Sequence, residues 1–317
     1  MAKRWLPWAF KLALTAAIIW FLATRIDLGD AARQAATIRP DMLSLAVGLM
    51  LLQVLISAVR WQAVLRAIGA LLAFRQVFEI FYIGVFFNIA LPSSVGGDAV
   101  RMWKSRRAGL SLSGAVNGVM LERVVTVFGL VLMVAVAQPL LLRRLPDLPG
   151  TWVFPVLTLV ALAGIVALML LDLLPATMRR WAVVRGLGHL AQDSRRLFLV
   201  PRNAALSLVW ALLGHANLSL TVLVLALGLD LGVDIVDCLV LVPPVILITT
   251  LPISIAGWGV REMAMVTAFG FVGVPAASGL ALSVLFGLVI VVTSLPGGVL
   301  WLLSGAGREG EQSSARS

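Results

Sequence analysis

One polar, glycine-rich stretch of this chain occurs nearly twice. Leu91-Pro-Ser-Ser-Val-Gly-Gly-Asp-Ala-Val-Arg101 falls without a gap on Leu251-Pro-Ile-Ser-Ile-Ala-Gly-Trp-Gly-Val-Arg261 when the sequence is slid by 160 residues, that is 251 − 91. The identities are Leu91/Leu251, Pro92/Pro252, Ser94/Ser254, Gly97/Gly257, Val100/Val260 and Arg101/Arg261. Each copy interrupts strongly apolar sequence, and the chain as a whole is 61% hydrophobic and 13% charged. Soluble domains carry about 25% charged residues, so the apolar runs read as membrane spans. Backbone that leaves the helix at membrane depth must find its hydrogen bonds in protein or in a water-filled cavity. Paired breaks in corresponding positions of two halves point to a transport site.

The net charge of +10 would suggest nucleic acid in a soluble protein. Here the basic residues sit in short segments between apolar runs, which is the pattern of anchoring against anionic headgroups, so no nucleic-acid partner is expected. One cysteine, Cys238, and two histidines, His189 and His215, leave no disulfide framework and no Cys/His metal site to expect. No cofactor is called for.

Six full spans are expected, at residues 8–24, 42–59, 110–137, 152–171, 204–229 and 277–303. Basic flanks (Lys3, Arg4, Lys11; Arg60, Arg66, Arg75; Arg101, Lys104, Arg106, Arg107; Arg179 to Arg202) mark the cytoplasmic side, and both termini fall there. Arg143 and Arg144 run against that bias, in a loop the count places outside. Residues 77–91 and 238–251 run into the two breaks and are too short to cross and return. They read as re-entrant hairpins. Three spans separate the breaks, so the second hairpin is inserted upside down relative to the first. The expected fold is therefore an all-α polytopic membrane protein with an inverted repeat, in one domain over 1–304, its halves centred on 77–137 and 238–303. Residues 179–202 carry apolar positions at helical spacing and read as a surface helix. Residues 305–317 read as a disordered cytoplasmic tail.

Ionisable groups inside spans cost about 2.5–3.5 kcal/mol each on the insertion scale, so they pair or face a cavity. They are Asp98 with Arg101, Glu122-Arg123, Arg261-Glu262, and Glu79. Neighbours on a helix point about 100° apart, so Glu122 and Arg123 need other partners. The economical pairing puts Glu122 on Arg101 or Arg261, and Arg123 on Asp98 or a ligand. A guanidinium left partly unpaired suits a phosphate or carboxylate, and the amides of each break add donors at a half-helix start. Alternatively, the charges form a buried cluster that only fixes helix register. Gln53, His215 and Asn217 read as interhelical hydrogen-bond positions. Trp258 stands where the first copy has Asp98, and either closes a cavity or packs.

The stretch from Leu91 to Asp98 with Arg101, followed by Gly109 and Glu122-Arg123, together with Ala256-Gly-Trp-Gly-Val-Arg-Glu262, resembles a known family. It is similar to the flippase-like transmembrane domain of lysylphosphatidylglycerol synthases, as a stand-alone member without the aminoacyl-transferase domain. The pattern matches at Pro92, Gly96, Gly97, Asp98, Arg101, Glu122, Arg123, Gly257, Gly259, Arg261 and Glu262. The resemblance implies movement of a lipid between leaflets and does not carry over which lipid.

These readings converge on a transporter in a bacterial inner membrane, more readily than on an enzyme. It would move or bind an anionic or aminoacylated phospholipid, or a polyprenyl-phosphate lipid. The expected substrate-binding set is Ser94, Gly96, Gly97, Asp98, Arg101, Glu122, Arg123, Gly257, Trp258, Arg261 and Glu262, with Arg101, Arg123 and Arg261 lining one polar cavity. A homo-oligomer or a biosynthetic partner protein is compatible with this reading. The competing classes are an intramembrane enzyme and an accessory subunit of lipid-linked glycan or membrane-lipid synthesis.

Overall fold

The computed structural model describes residues 20, 24, 26–91, 96–144, 150–173, 182–250 and 258–314. The expected span at 8–24, apart from residues 20 and 24, and the centres of both breaks, with Ser94 and Gly257, lie outside the described residues.

The described residues form α-helices and one short 3-10 turn, with no strand among them. The helices are α1 (Leu28–Ala36), α2 (Pro40–Ala67), α3 (Phe74–Ala90), α4 (Gly96–Arg107), α5 (Leu112–Arg144) and α6 (Val153–Met169). They continue with α7 (Ala182–Phe198), α8 (Pro201–Gly228), α9 (Ile235–Thr250), α10 (Val260–Gly270) and α11 (Ala276–Ser314). Four of them, α2, α5, α8 and α11 as far as Ser304, are long and apolar enough to cross a bilayer. At 1.5 Å per residue, 28 residues reach about 42 Å, beyond the roughly 30 Å hydrocarbon core. Helices α6 and α9 are apolar but shorter. Proline starts α2 and α8 at their first turn, where a missing amide costs nothing. Helix α11 runs on to Ser314, through most of the segment whose composition suggests a disordered tail.

The 160-residue offset read from the breaks extends to whole helices. Adding 160 to α2 gives 200–227, against α8 at 201–228, and adding it to α3 gives 234–250, against α9 at 235–250. Likewise α4 maps to 256–267, overlapping α10 at 260–270, and α5 maps to 272–304, overlapping α11 from 276. Helix α1 maps to 188–196, inside α7. Thus α1–α5 correspond to α7–α11, with α6 as the one α-helix between them among the described residues.

Packing respects that correspondence. The most extensive helix pair is α2 with its counterpart α8, and they run antiparallel. Arg39 N–H donates to Gly228 O at 3.1 Å near one end, while at the middle Asn217 Nδ2 donates to Leu49 O at 2.9 Å and to Gln53 Oε1 at 3.0 Å. Toward the other end Gly214 lies against Ile56 and Arg60. Two further contacts are exchanged between halves: α3 packs on α11 and α9 packs on α5. Each broken pair stays together, α3 on α4 and α9 on α10.

Two buried cores stack along this seam. One gathers Ala46, Met50, Leu225, Val242, Met265, Phe269 and Phe286, and the other Ala58, Trp61, Leu65, Phe81, Leu121 and Leu197. At the end of α5, Arg144 meets Asp234 at 2.5 Å and Asp237 at 3.5 Å. That pairing explains an arginine on the side where sequence bias argues against one: its charge is matched by the acidic loop before α9. Helix α7 buries Leu190 and Leu197, and Arg195 holds Met169 O at 2.5 Å and the Asp172 carboxylate.

Candidate functional site

Five charged side chains meet where α2, α4 and α5 converge. Glu122 lies ten residues into α5, about 15 Å along the axis from its start. Its Oε1 accepts from Arg60 Nη2 at 2.6 Å, Arg60 Nε at 3.1 Å and Thr126 Oγ1 at 3.1 Å. Its Oε2 accepts from Arg101 Nη1 at 3.1 Å, and that same nitrogen reaches Asp98 Oδ1 at 3.2 Å. Asp98 Oδ2 accepts from Arg123 Nε at 2.7 Å. The chain of contacts runs Arg60–Glu122–Arg101–Asp98–Arg123.

The helices place these groups for local reasons. Asp98 and Arg101 are three apart on α4 and share a face. Arg101 is brought to Glu122 because α4 lies close on α3: a Cβ at Gly97 would collide with Gly84 O and the Asn88 amide, and a Cβ at Gly84 would strike the Arg101 side chain. Asn88 Oδ1 accepts from Gly97 N–H at 3.1 Å, satisfying a donor at the start of α4. Arg101 is sandwiched with its guanidinium carbon 4.3 Å from the Trp61 ring centre and 4.6 Å from that of Phe81. Its Nε and Nη2 make no hydrogen bond, so the ring faces are what they meet.

Three guanidiniums face two carboxylates, 3 − 2 = +1. Arg60, Arg101, Asp98 and Glu122 are all buried, whereas the Arg123 side chain is 47% exposed. Arg123 spends only Nε on Asp98, and its two terminal nitrogens make no hydrogen bond among the described residues. The surplus charge therefore sits on an accessible planar donor fork, the shape that grips a phosphate or carboxylate with two parallel hydrogen bonds.

The second break carries a separate group. Gly259 caps α10 with φ of +84°, a conformation that favours glycine, and its N–H donates to Glu262 Oε2 at 2.5 Å. Glu262 Oε1 accepts from Arg261 Nη2 at 2.7 Å and Ser283 Oγ at 3.3 Å. Arg261 Nε lies 3.4 Å from Ser283 Oγ, and its guanidinium carbon 4.7 Å from the Trp258 ring centre. Ser283 occupies the place that Arg123 holds in the first half, since 123 + 160 = 283. Here one arginine meets one carboxylate and the pair is closed on itself.

The structure thus brings Asp98, Arg101, Glu122 and Arg123 together, with Gly97 beneath them and Gly96 opening α4. It does not bring Arg261 and Glu262 to them: no hydrogen bond or ion pair joins the two groups among the described residues. Among the described residues the arginines expected to line one cavity fall in two clusters, Arg101 with Arg123 and Arg261 apart from them. Trp258 packs on the Arg261 guanidinium.

Arg60 is the residue the sequence reading misplaced. It was expected as a cytoplasmic flank ending the second span at 59, yet α2 continues to Ala67 and Arg60 is buried on Glu122. The signal was present, because Trp61, Val64 and Leu65 continue the apolar face beyond it and Glu122 needs more than one cation. Trp61, Phe81, Asn88 and Thr126 were likewise not singled out. Among the described residues there is no cluster of His, Cys, Asp and Glu able to hold a metal. Glu79 meets Lys104 at 3.4 Å instead of the cluster. His215 Nε2 contacts Thr126 O at 2.9 Å and Asn217 bridges to α2, so both serve helix contacts as expected.

These features define a multi-pass helical membrane protein built of two corresponding sets of helices, with a buried charge cluster beside a break. The family model described as lysylphosphatidylglycerol synthase TM region matches residues 8–297, and the chain belongs to that family. No curated protein matches it.

Proposed function

We propose that the protein moves or binds an anionic or aminoacylated phospholipid, or a polyprenyl-phosphate lipid, between the leaflets of a bacterial inner membrane. The observation that carries this reading is the half-exposed guanidinium of Arg123, held to Asp98 through Nε alone, at the edge of an otherwise buried ion cluster of net charge +1. A charge at that depth is expensive unless it serves a ligand or a pathway. A phosphate arriving at Arg123 takes up its terminal nitrogens and competes with Asp98 for the fork. Asp98 retains Arg101, and the phosphate's negative charge offsets the cluster's net +1 while the ligand is held. Glu122, pinned by Arg60 and Arg101, keeps the frame of α2, α4 and α5 fixed during that exchange.

Family membership supports a membrane-lipid role, and the antiparallel pairing of corresponding helices supports an inverted repeat. In this reading the broken pairs α3–α4 and α9–α10 are re-entrant hairpins opening to opposite sides, both termini lie in the cytoplasm, and Arg261–Glu262 holds the second hairpin closed. The test is protein reconstituted into liposomes with headgroup-labelled phosphatidylglycerol, scored by the fraction of label reached by an impermeant quencher over time. Arg123→Ala is expected to slow exposure at least about tenfold, roughly 1.4 kcal/mol of lost interaction, with Arg123→Lys between. Wild-type rates from a normally folded Arg123→Ala protein would refute the role given to Arg123.

A further inference from the structure

A second basic site lies away from the breaks, at the end of the bundle where α2 finishes and α8 begins. A cavity of about 360 Å³ opens between these two helices, lined by Gln62, Arg66, Arg202, Asn203, Leu206 and Trp210 among others. Arg66 and Arg202 form no ion pair among the described residues, so two exposed guanidiniums face one cavity without a carboxylate. Gln62 is 8% exposed and its amide makes no hydrogen bond to the protein among the described residues. Asn203 Nδ2 is already committed to Arg196 O at 2.9 Å, which leaves the two arginines, Gln62 and the Trp210 indole N–H as the side-chain donors. The first turn of α8 has no side-chain cap, so the positive end of a 28-residue helix adds to the same field. Val59, Ala63 and Leu206 make the remaining wall apolar, and Leu206 is exposed on the outer surface of the bundle.

We propose that this cavity binds the phosphate of an anionic phospholipid, with the headgroup between Arg66 and Arg202 and an acyl chain along Leu206. The chemistry follows from the lining: two forks and an unpartnered buried amide supply donors to phosphate oxygens, and an apolar wall continuous with the membrane-facing surface suits a chain instead of water. A basic pocket between spanning helices is a recurrent seat for such lipids. The site is independent of Arg123 and of translocation. Its place on the seam between the two corresponding halves means that an occupant clasps α2 to α8.

Native mass spectrometry of the detergent-purified full chain, titrated with phosphatidylglycerol, tests this. The wild type should retain one phosphatidylglycerol at least tenfold more tightly than phosphatidylcholine. The Arg66→Ala/Arg202→Ala double variant should lose that preference, and Gln62→Leu should weaken it about threefold or more. Arg33→Ala/Arg75→Ala, which removes the same charge elsewhere, should leave it within twofold. If the alanine pair does not fold, Arg66→Lys/Arg202→Lys, which keeps the charge but not the fork, should still weaken binding measurably. Equal retention of the two lipids, or unchanged preference in whichever double variant folds, overturns the site. Displacement of the lipid by inorganic phosphate at equal concentration would reassign it to a free phosphate ester.

Discussion

Glu122 should be the costliest side chain in the charge cluster to neutralise. Its side chain is 3% exposed and receives both Arg60 and Arg101, which are 6% and 3% exposed. Glu122→Gln removes the only carboxylate that Arg60 contacts among the described residues and turns its amide hydrogens toward one of two buried guanidiniums. Breaking a buried pair in this way costs about 3–5 kcal/mol, because the surviving charge is stranded. Asp98→Asn is the internal comparison. It frees Arg123, which is half exposed and can take water, while Arg101 keeps Glu122, so about 1–2 kcal/mol is expected. The assay is reversible unfolding of the detergent-solubilised protein in graded denaturing detergent, followed by helical circular dichroism. Glu122→Gln/Arg60→Met removes the stranded cation and should recover about half of the loss, a coupling only a direct pair produces. A Glu122→Gln penalty below that of Asp98→Asn, or no recovery in the double variant, would refute the assignment of Glu122 as the hub.

Two further outcomes follow from the geometry. Gly97→Ala should cost about 1–3 kcal/mol or more, since its methyl group meets backbone rather than a yielding side chain, whereas Gly48→Ala, with open space around it, should change the same unfolding curve little. Asp234, in the loop before α9, has its carboxyl held below the ordinary 3.8 by the Asp237 amide and then by Arg144. A depressed acid contributes stability that is present above its ordinary value and lost as pH falls through the lower one. The melting temperature should therefore fall on acidification below about pH 4, and fall less steeply in Asp234→Asn.

The breaks were legible because Pro and Arg are uncommon letters in apolar sequence and both copies align on them. The reach of the repeat from α1 to α11 was not, since Leu45, Leu51, Leu52 and their like face outward, and lipid accepts any apolar side chain there without fixing register. Pairing of Arg123 with Asp98, and of Glu122 with Arg101, follows from the 100° step between neighbours on α5. At Arg261-Glu262 the neighbours do meet. Those residues are the second and third of α10, where the Glu262 side chain turns back to cap Gly259 and meets Arg261 on the way. Arg60 was hidden by a sound rule applied about two turns too early, since α2 runs to Ala67, and a basic residue after an apolar run normally marks the membrane surface.

The order of the cluster along the chain has a consequence for biogenesis. Arg60, Asp98, Arg101, Glu122 and Arg123 all fall within one stretch, 123 − 60 = 63 residues from first to last. At 5–20 residues per second the ribosome delivers that stretch in roughly 3 to 13 s. The nascent chain can therefore pair its charges before the second set of helices exists. What must wait is the apolar work, because α3 needs α11 and α5 needs α9. The early half enters the membrane electrically settled but unpacked, holding open the faces that the late half is made to fill.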